Sequence, residues 1–301
     1  MAHNFKIAIM GGTGLLGSNL VEMFKEKYEI KVFSRQSSGN ISEKLNSLID
    51  FNLLEDELER HFISWKPDII LNAVALVNLD RCEVDFKSAY EINCNIAYKL
   101  SSIAKKINSY FIHISTDHYY NDKKTVHNEK DKILILNNYS KTKYEAENLV
   151  INNYKNTIVV RTNIVGFRNN DSDSFFEWLI DSFEKKETIN LYKNYFTSPI
   201  SVKLLGDILI KCYTNKLNGL YNIASSEVIS KYDFGLKVAK RFGFDIKCIN
   251  KTNFANDQKI KRALTLGLDV SRIEEHLNYT MPKVDETIEQ LYKEYLEIKD
   301  E

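Results

Sequence analysis

Apolar and polar positions along this chain fall into two alternating rhythms. Phe5-Lys6-Ile7-Ala8-Ile9-Met10 is apolar enough for a strand covered on both faces, and Leu16, Leu20, Val21 and Phe24 then recur at helical spacing. Ile30-Lys31-Val32-Phe33, the run Asp68 to Val77 behind Pro67, and Phe111 to Ile114 read as further strands. Between the last two, Arg81 to Lys106 reads as one helix, striped by Val84, Ala89, Ile92, Ile96, Leu100, Ile103 and Ala104. Tyr139 to Asn152 is another helix, and Thr157 to Val160 a further strand. Strand alternating with helix predicts an α/β fold built on a doubly wound parallel sheet. After Arg161 the elements shorten, so a first domain is expected over 1–161 and a smaller α/β lobe over 162–301, interleaved with it. Trp65, Trp178 and the Phe175-Phe176-Trp178-Leu179 cluster are assigned to core packing.

Composition narrows the function classes. At 301 residues and 44% hydrophobic, the chain can bury a large core. Lys+Arg and Asp+Glu both count 41, so no basic field argues for nucleic acid or a membrane surface. Cys82, Cys94, Cys212 and Cys248 form no C-x-x-C and no pattern with histidines, which suits reduced thiols in a cytoplasm. Neither a signal-peptide core nor an apolar run of spanning length is present, so secretion is not expected. His113 and His118 have no third partner at a metal-binding spacing, and no metal is expected.

Chemistry enters with Gly11-Gly12-Thr13-Gly14-Leu15-Leu16-Gly17. Gly12, Gly14 and Gly17 satisfy G-x-G-x-x-G, and Gly11, Gly14 and Gly17 the looser G-x-x-G-x-x-G. Between a strand and a helix, such glycines let the backbone turn tightly and approach a pyrophosphate at the helix N-terminus. A dinucleotide is the expected ligand, held by Gly11, Thr13, Gly14, Leu15, Leu16 and Gly17. NAD-binding units place an Asp or Glu after the second strand; here Ser34-Arg35 stands there, suited to a 2′-phosphate. NADP(H) is therefore favoured, with NAD(H) the alternative.

Tyr139 and Lys143 lie four apart on a helix, hence one turn apart on one face. A free phenol has a pKa of about 10, and a neighbouring ammonium lowers it into a useful range for proton transfer. The same spacing recurs at Tyr119/Lys123, Tyr120/Lys124 and Tyr279/Lys283, where Asn121-Asp122 and Pro282 spoil the helix. Thr116, in Ile114-Ser115-Thr116-Asp117, follows a parallel strand, at the end where open sheets bind ligands. Its hydroxyl can stabilise charge developing on a carbonyl oxygen; turn or cap chemistry is the competing use.

GGTGLLGSNL (from Gly11), PDIILNAVALVNLDRCE (from Pro67), ISTDHYY (from Ile114), YSKTKYEAE (from Tyr139), VVRTN (from Val159), SPISV (from Ser198) and GLYNIAS (from Gly219) occur in this order along nearly the whole chain. Together they resemble the extended short-chain dehydrogenase/reductases, and within them the dTDP-4-dehydrorhamnose reductase family. The resemblance implies a Rossmann-type first domain and NAD(P)H-dependent reduction of a 4-keto group on a nucleotide-linked 6-deoxysugar. It implies Thr116, Tyr139 and Lys143 as a catalytic triad, with Lys143 also holding the nicotinamide ribose, and Asn93 as support for a proton relay. Asp50 and Phe51 resemble the pair that contacts adenine, and Asn72-Ala73-Val74-Ala75 the loop under the nicotinamide. Asp117, His118, Asn163 and Arg262 fall on substrate-side positions, Arg262 where relatives meet the diphosphate. The chain departs from the family at His118-Tyr119-Tyr120 and at Asn163-Ile164-Val165-Gly166-Phe167, which bears on the identity of the sugar more than on the reaction type, and at Ala263, which bears on the role of Arg262. Two other uses stay open: a nucleotide-sugar epimerase, and an NADP-binding regulatory subunit without turnover. A nucleotide sugar is the expected partner, and the resemblance admits a homodimer.

Overall fold

A computed structural model describes residues 5–34, 46–48, 54–122, 124–168, 174–255 and 259–300. Its organising element is a seven-stranded sheet. Strands β1 (Lys6–Met10), β2 (Glu29–Ser34), β3 (Asn46–Leu48), β4 (Ile69–Asn72) and β5 (Tyr110–Ile114) lie in the order β3-β2-β1-β4-β5, followed by Thr157–Arg161 and Gly219–Asn222. The pairs from β3 to Thr157–Arg161 are all parallel. The sheet order reverses between β1 and β4, where Rossmann-type sheets bind their ligands.

Helix α1 (Leu15–Phe24) buries Leu16, Leu20, Val21 and Phe24, the face its spacing predicts. Around the sheet run α2 (Leu54–Trp65), α3 (Leu79–Val84), α4 (Phe86–Tyr90), α5 (Ile96–Ile107) and α6 (Asn138–Asn153). Phe33, Phe62, Leu100, Phe111 and Val150 share one apolar core.

The expected single helix 81–106 is broken twice. Asp85 accepts from Ser88 N at 3.0 Å and restarts the helix as α4, and Glu91–Asn95 is a π turn. Val84, expected in the apolar stripe, is 88% exposed because its helix ends there. The strand expected over Asp68 to Val77 stops at Asn72, and 73–78 is loop. Trp65 is buried, but Trp178, also assigned to the core, is 40% exposed on α7 (Phe175–Glu184).

The chain divides into two compact units: 1–116, 137–160 and 209–221 form the first, and 117–136, 161–208 and 222–301 the second. Among the described residues, the second carries three small sheets. Four short strands order as Ile229–Ser230, Phe196–Thr197, Thr265–Leu268 and Val126–His127, while Asn163–Val165 pairs with Pro199–Ser201 and Ile189–Tyr192 with Ile249–Thr252. Phe176, Leu179, Phe183, Phe234 and Leu291 are in its core. No helix among the described residues is long and apolar enough to cross a membrane.

Candidate active site

In the first unit, the turn after β1 is built by what a side chain would strike. Gly11 has φ +87°, and a Cβ there would meet the Ala73–Val74 peptide at 3.1 Å. A Cβ on Gly17 would sit 2.2 Å from Gly11 O and 2.8 Å from Gly12 Cα, so helix and turn touch only through glycine. Gly14 differs: its Cβ would find only Gly11 O, at an ordinary 3.6 Å. The fold itself tolerates a side chain there. Gly14 is also the N-cap of α1, with no side-chain cap and no acid in the first turn. The helix therefore presents bare N–H groups and its positive dipole end at an open cradle, which fits a pyrophosphate. Thr13 completes the turn, Leu15 opens α1, and Leu16 packs inward, 5% exposed. Ser34 ends β2, buried. Arg35, Asp50 and Phe51 lie outside the described residues.

The loop after β4 is set from beneath. Asn72 Oδ1 accepts from Val74 N at 3.1 Å, which turns Asn72 Nδ2 toward His113 Nδ1, also at 3.1 Å. Ala73 N donates to Met10 O at 3.0 Å, and Ala75 follows, half-buried. Burial, then the charge of Lys143, pushes the His113 pKa well below its ordinary 6.5. Neutral and accepting at Nδ1, the ring carries its proton on Nε2.

Helix α6 starts where Asn137 and Ser140 form a reciprocal cap, Asn137 Oδ1 accepting from Ser140 N at 2.9 Å and Ser140 Oγ from Asn137 N at 3.3 Å. That start puts Tyr139 in the first turn and Lys143 one turn on, both buried. Lys143 Nζ donates to Ile114 O at 2.7 Å, at the end of β5, two residues before Thr116, which is 4% exposed. Burial lowers the Lys143 pKa to about 8, against the opposing charge of Glu147. Ser115 Oγ donates to Glu147 Oε1 at 2.5 Å, and Ser115 N to Val160 O at 2.7 Å. Asn93 is fully buried at the π turn. Its Oδ1 accepts from Leu76 N at 2.7 Å, and its Nδ2 donates to Leu76 O at 3.1 Å and Thr142 Oγ1 at 3.0 Å. It thus joins the loop after β4 to α6, one residue before Lys143.

The second unit holds a cavity of about 650 Å³. His118, Phe175, Trp178, Tyr192, Lys231 and Arg262 are among its walls. Burial, with Arg262 and Lys231 nearby, lowers the His118 pKa to about 4, so its 3.8 Å approach to Asp117 is no ion pair near neutrality. Asp117 is buried, accepting from Asn163 Nδ2 at 2.7 Å. Lys231 Nζ lies 3.8 Å over the Phe175 ring, its pKa lowered to about 8 by burial. Lysine and arginine beside an aromatic wall suit a ligand with both an anionic and a flat apolar part.

The first unit thus gathers Gly11, Gly14, Gly17, Asn72, Ala73, Asn93, Thr116, Tyr139 and Lys143, and the second Asp117, His118, Asn163 and Arg262. Consecutive Thr116 and Asp117 fall to different units. Sequence reasoning missed Glu147, Lys231 and the cavity role of Trp178. Glu147 was findable, standing four residues after Lys143 on the same helix face. Lys231 carried no local signal.

A family model described as RmlD substrate binding domain matches residues 5–297. The chain is 26% identical over 273 residues to spore coat polysaccharide biosynthesis protein SpsK of Bacillus subtilis, covering 90% of this chain and 91% of that one. It is 24% identical over 288 residues to dTDP-4-dehydrorhamnose reductase of Aggregatibacter actinomycetemcomitans, covering 90% and 92%. The crystal structure of dTDP-4-dehydrorhamnose reductase from Bacillus anthracis in complex with NADP superposes with a TM-score of 0.81, at 20% identity, over 97% of this chain and 99% of that one. That likeness speaks for the fold.

Proposed function

Because the chain belongs to the RmlD substrate binding domain family, we propose that it is an NADPH-dependent reductase of the 4-keto group of a nucleotide-activated 6-deoxyhexose, making precursors of a surface polysaccharide in the cytoplasm. The observation that carries this reading is the buried Lys143, bonded to the end of the strand that leads into Thr116 and one helical turn from Tyr139. Holding a ribose would account for Lys143 alone, but not for the buried phenol of Tyr139 one helical turn away.

The dinucleotide, when bound, supplies hydride to the carbonyl carbon. The glycine turn and the first turn of α1 would hold its pyrophosphate, residues 72–75 would line its nicotinamide half, and Ser34 with Arg35 would favour a 2′-phosphate. Tyr139 gives its hydroxyl proton to the carbonyl oxygen. Lys143, charged below about pH 8, would stabilise the phenolate left behind and bind ribose hydroxyls. Thr116 donates a hydrogen bond to the same oxygen as charge builds on it. Asn93 keeps α6 and the loop after β4 in register. Asp117, His118, Asn163 and Arg262 are the proposed contacts of the sugar nucleotide.

The test is oxidation of NADPH with a panel of nucleotide-linked 4-keto-6-deoxysugars. Oxidation by one member, abolished in Tyr139→Phe with dinucleotide affinity retained, is the expected result. Silence across the panel despite tight NADPH binding would turn the reading toward the epimerase or the regulatory subunit. Turnover persisting in Tyr139→Phe would sink the mechanism.

A further inference from the structure

Glu147 is 2% exposed, yet neither its residue type nor its place on α6 is explained by packing. A carboxylate is costly to bury, so one held in a core needs a reason in its partners. It has two. Ser115 Oγ donates to its Oε1 at 2.5 Å, tying α6 to the residue between Ile114 and Thr116. One helical turn toward the N-terminus stands Lys143, whose Nζ is bonded to Ile114 O at 2.7 Å. The end of β5 is therefore gripped twice by α6, by a cation at Ile114 and by an anion at Ser115.

We propose that Glu147 is a positioning residue of the active site, anchoring the strand end that carries Thr116 and providing the counter-charge that keeps the buried Lys143 ammonium protonated. The inference rests on the catalytic reading of Tyr139 and Lys143 above. The other groups around Lys143 do not replace that charge. His113 on β5 is neutral, and Cys94, hydrogen-bonded to Tyr90 and near Glu91 and Glu145, keeps its proton because burial raises its pKa. Tyr139 on α6 is the proton donor itself. Of the groups acting on Lys143, Glu147 is the largest that opposes burial.

The variant that separates charge from shape is Glu147→Gln, which can still accept from Ser115. Lysine 13Cε NMR of the whole protein, with the Lys143 signal assigned through Lys143→Met, reads the titration directly. An opposite charge one helical turn away shifts a buried titration by roughly one to two pH units. The Lys143 midpoint should fall by that amount in Glu147→Gln, and the alkaline limb of kcat should fall with it, since the ammonium is lost as pH rises through its pKa. Ser115→Ala keeps the charge and removes the anchor: the midpoint should stay and kcat should drop. A Lys143 midpoint unmoved in Glu147→Gln overturns the proposal. Should that variant not fold, Glu147→Asp decides, since it retains the charge but draws it away from Ser115; a lowered kcat supports the anchor, and wild-type kcat overturns it. The titration needs no turnover, so a protein that reduces none of the tested sugars still decides the inference by its midpoint.

Discussion

Removing the Lys143 charge should change how stability depends on pH. Lys143 is 1% exposed, and its pKa falls from the ordinary 10.5 to about 8 in the folded chain. One unit is worth about 1.4 kcal/mol, so keeping the ammonium inside the fold costs about 3 kcal/mol near neutral pH. Because the folded value lies below the unfolded one, unfolding takes up a proton between the two. Stability from this group therefore rises with pH across that window, and the cost shrinks by about 1.3 kcal/mol between roughly pH 7 and 9. Lys143→Met never carries the charge. It also loses the bond to Ile114 O, but that loss is the same at every pH. The quantity to follow is the stability difference between variant and wild type, which should move by about 1.3 kcal/mol in favour of wild type over that span. Urea unfolding in a Trp178→Phe background leaves Trp65, which belongs to the first unit with Lys143, as the fluorescent reporter. A difference that stays flat, or moves the other way, would refute a desolvated Lys143.

Three further outcomes follow from the glycine turn and a buried cation. Gly17→Ala drives a Cβ to 2.2 Å from Gly11 O and should cost about 1–3 kcal/mol in urea unfolding; Gly14→Ala, with its nearest atom at 3.6 Å, should unfold within about 0.5 kcal/mol of wild type yet bind NADPH at least tenfold more weakly by fluorescence titration. Tyr120→Phe removes the 2.9 Å bond to the buried Arg161 guanidinium and should cost about 1.5–3 kcal/mol, so a thermal melt matching wild type would show that Arg161 does not depend on it.

The sheet was legible because its strands are buried on both faces and read as unbroken apolar runs, and α1 because its stripe keeps one period. The helix read over 81–106 failed where a periodic argument must fail. Asp85 ends one helix and starts the next, so a single 3.6-residue pattern drawn across it picks up Val84 wrongly, and the π turn over Glu91–Asn95 breaks the phase again. Tyr139 and Lys143 were legible from spacing, and the Asn137–Ser140 cap is the local reason that spacing became a helix. Lys231 and Trp178 were not, because their shared cavity also draws Tyr192 and Arg262 from distant parts of the sequence. Long-range juxtaposition of that kind leaves no mark on any short window.

The uncapped start of α1 has a consequence beyond ligand binding. Serine, threonine, aspartate and asparagine are preferred at that position because their side chains bond first-turn N–H groups, and over glycine such a residue adds about a few tenths of a kcal/mol. Here Gly14 leaves the turn to whatever anion arrives. With a dinucleotide phosphate in that role, the first turn would fray when the cellular pool runs low and tighten when it is full. Proteases act on frayed segments. Limited proteolysis of the first turn, with and without a dinucleotide, would therefore read occupancy of the turn without any turnover.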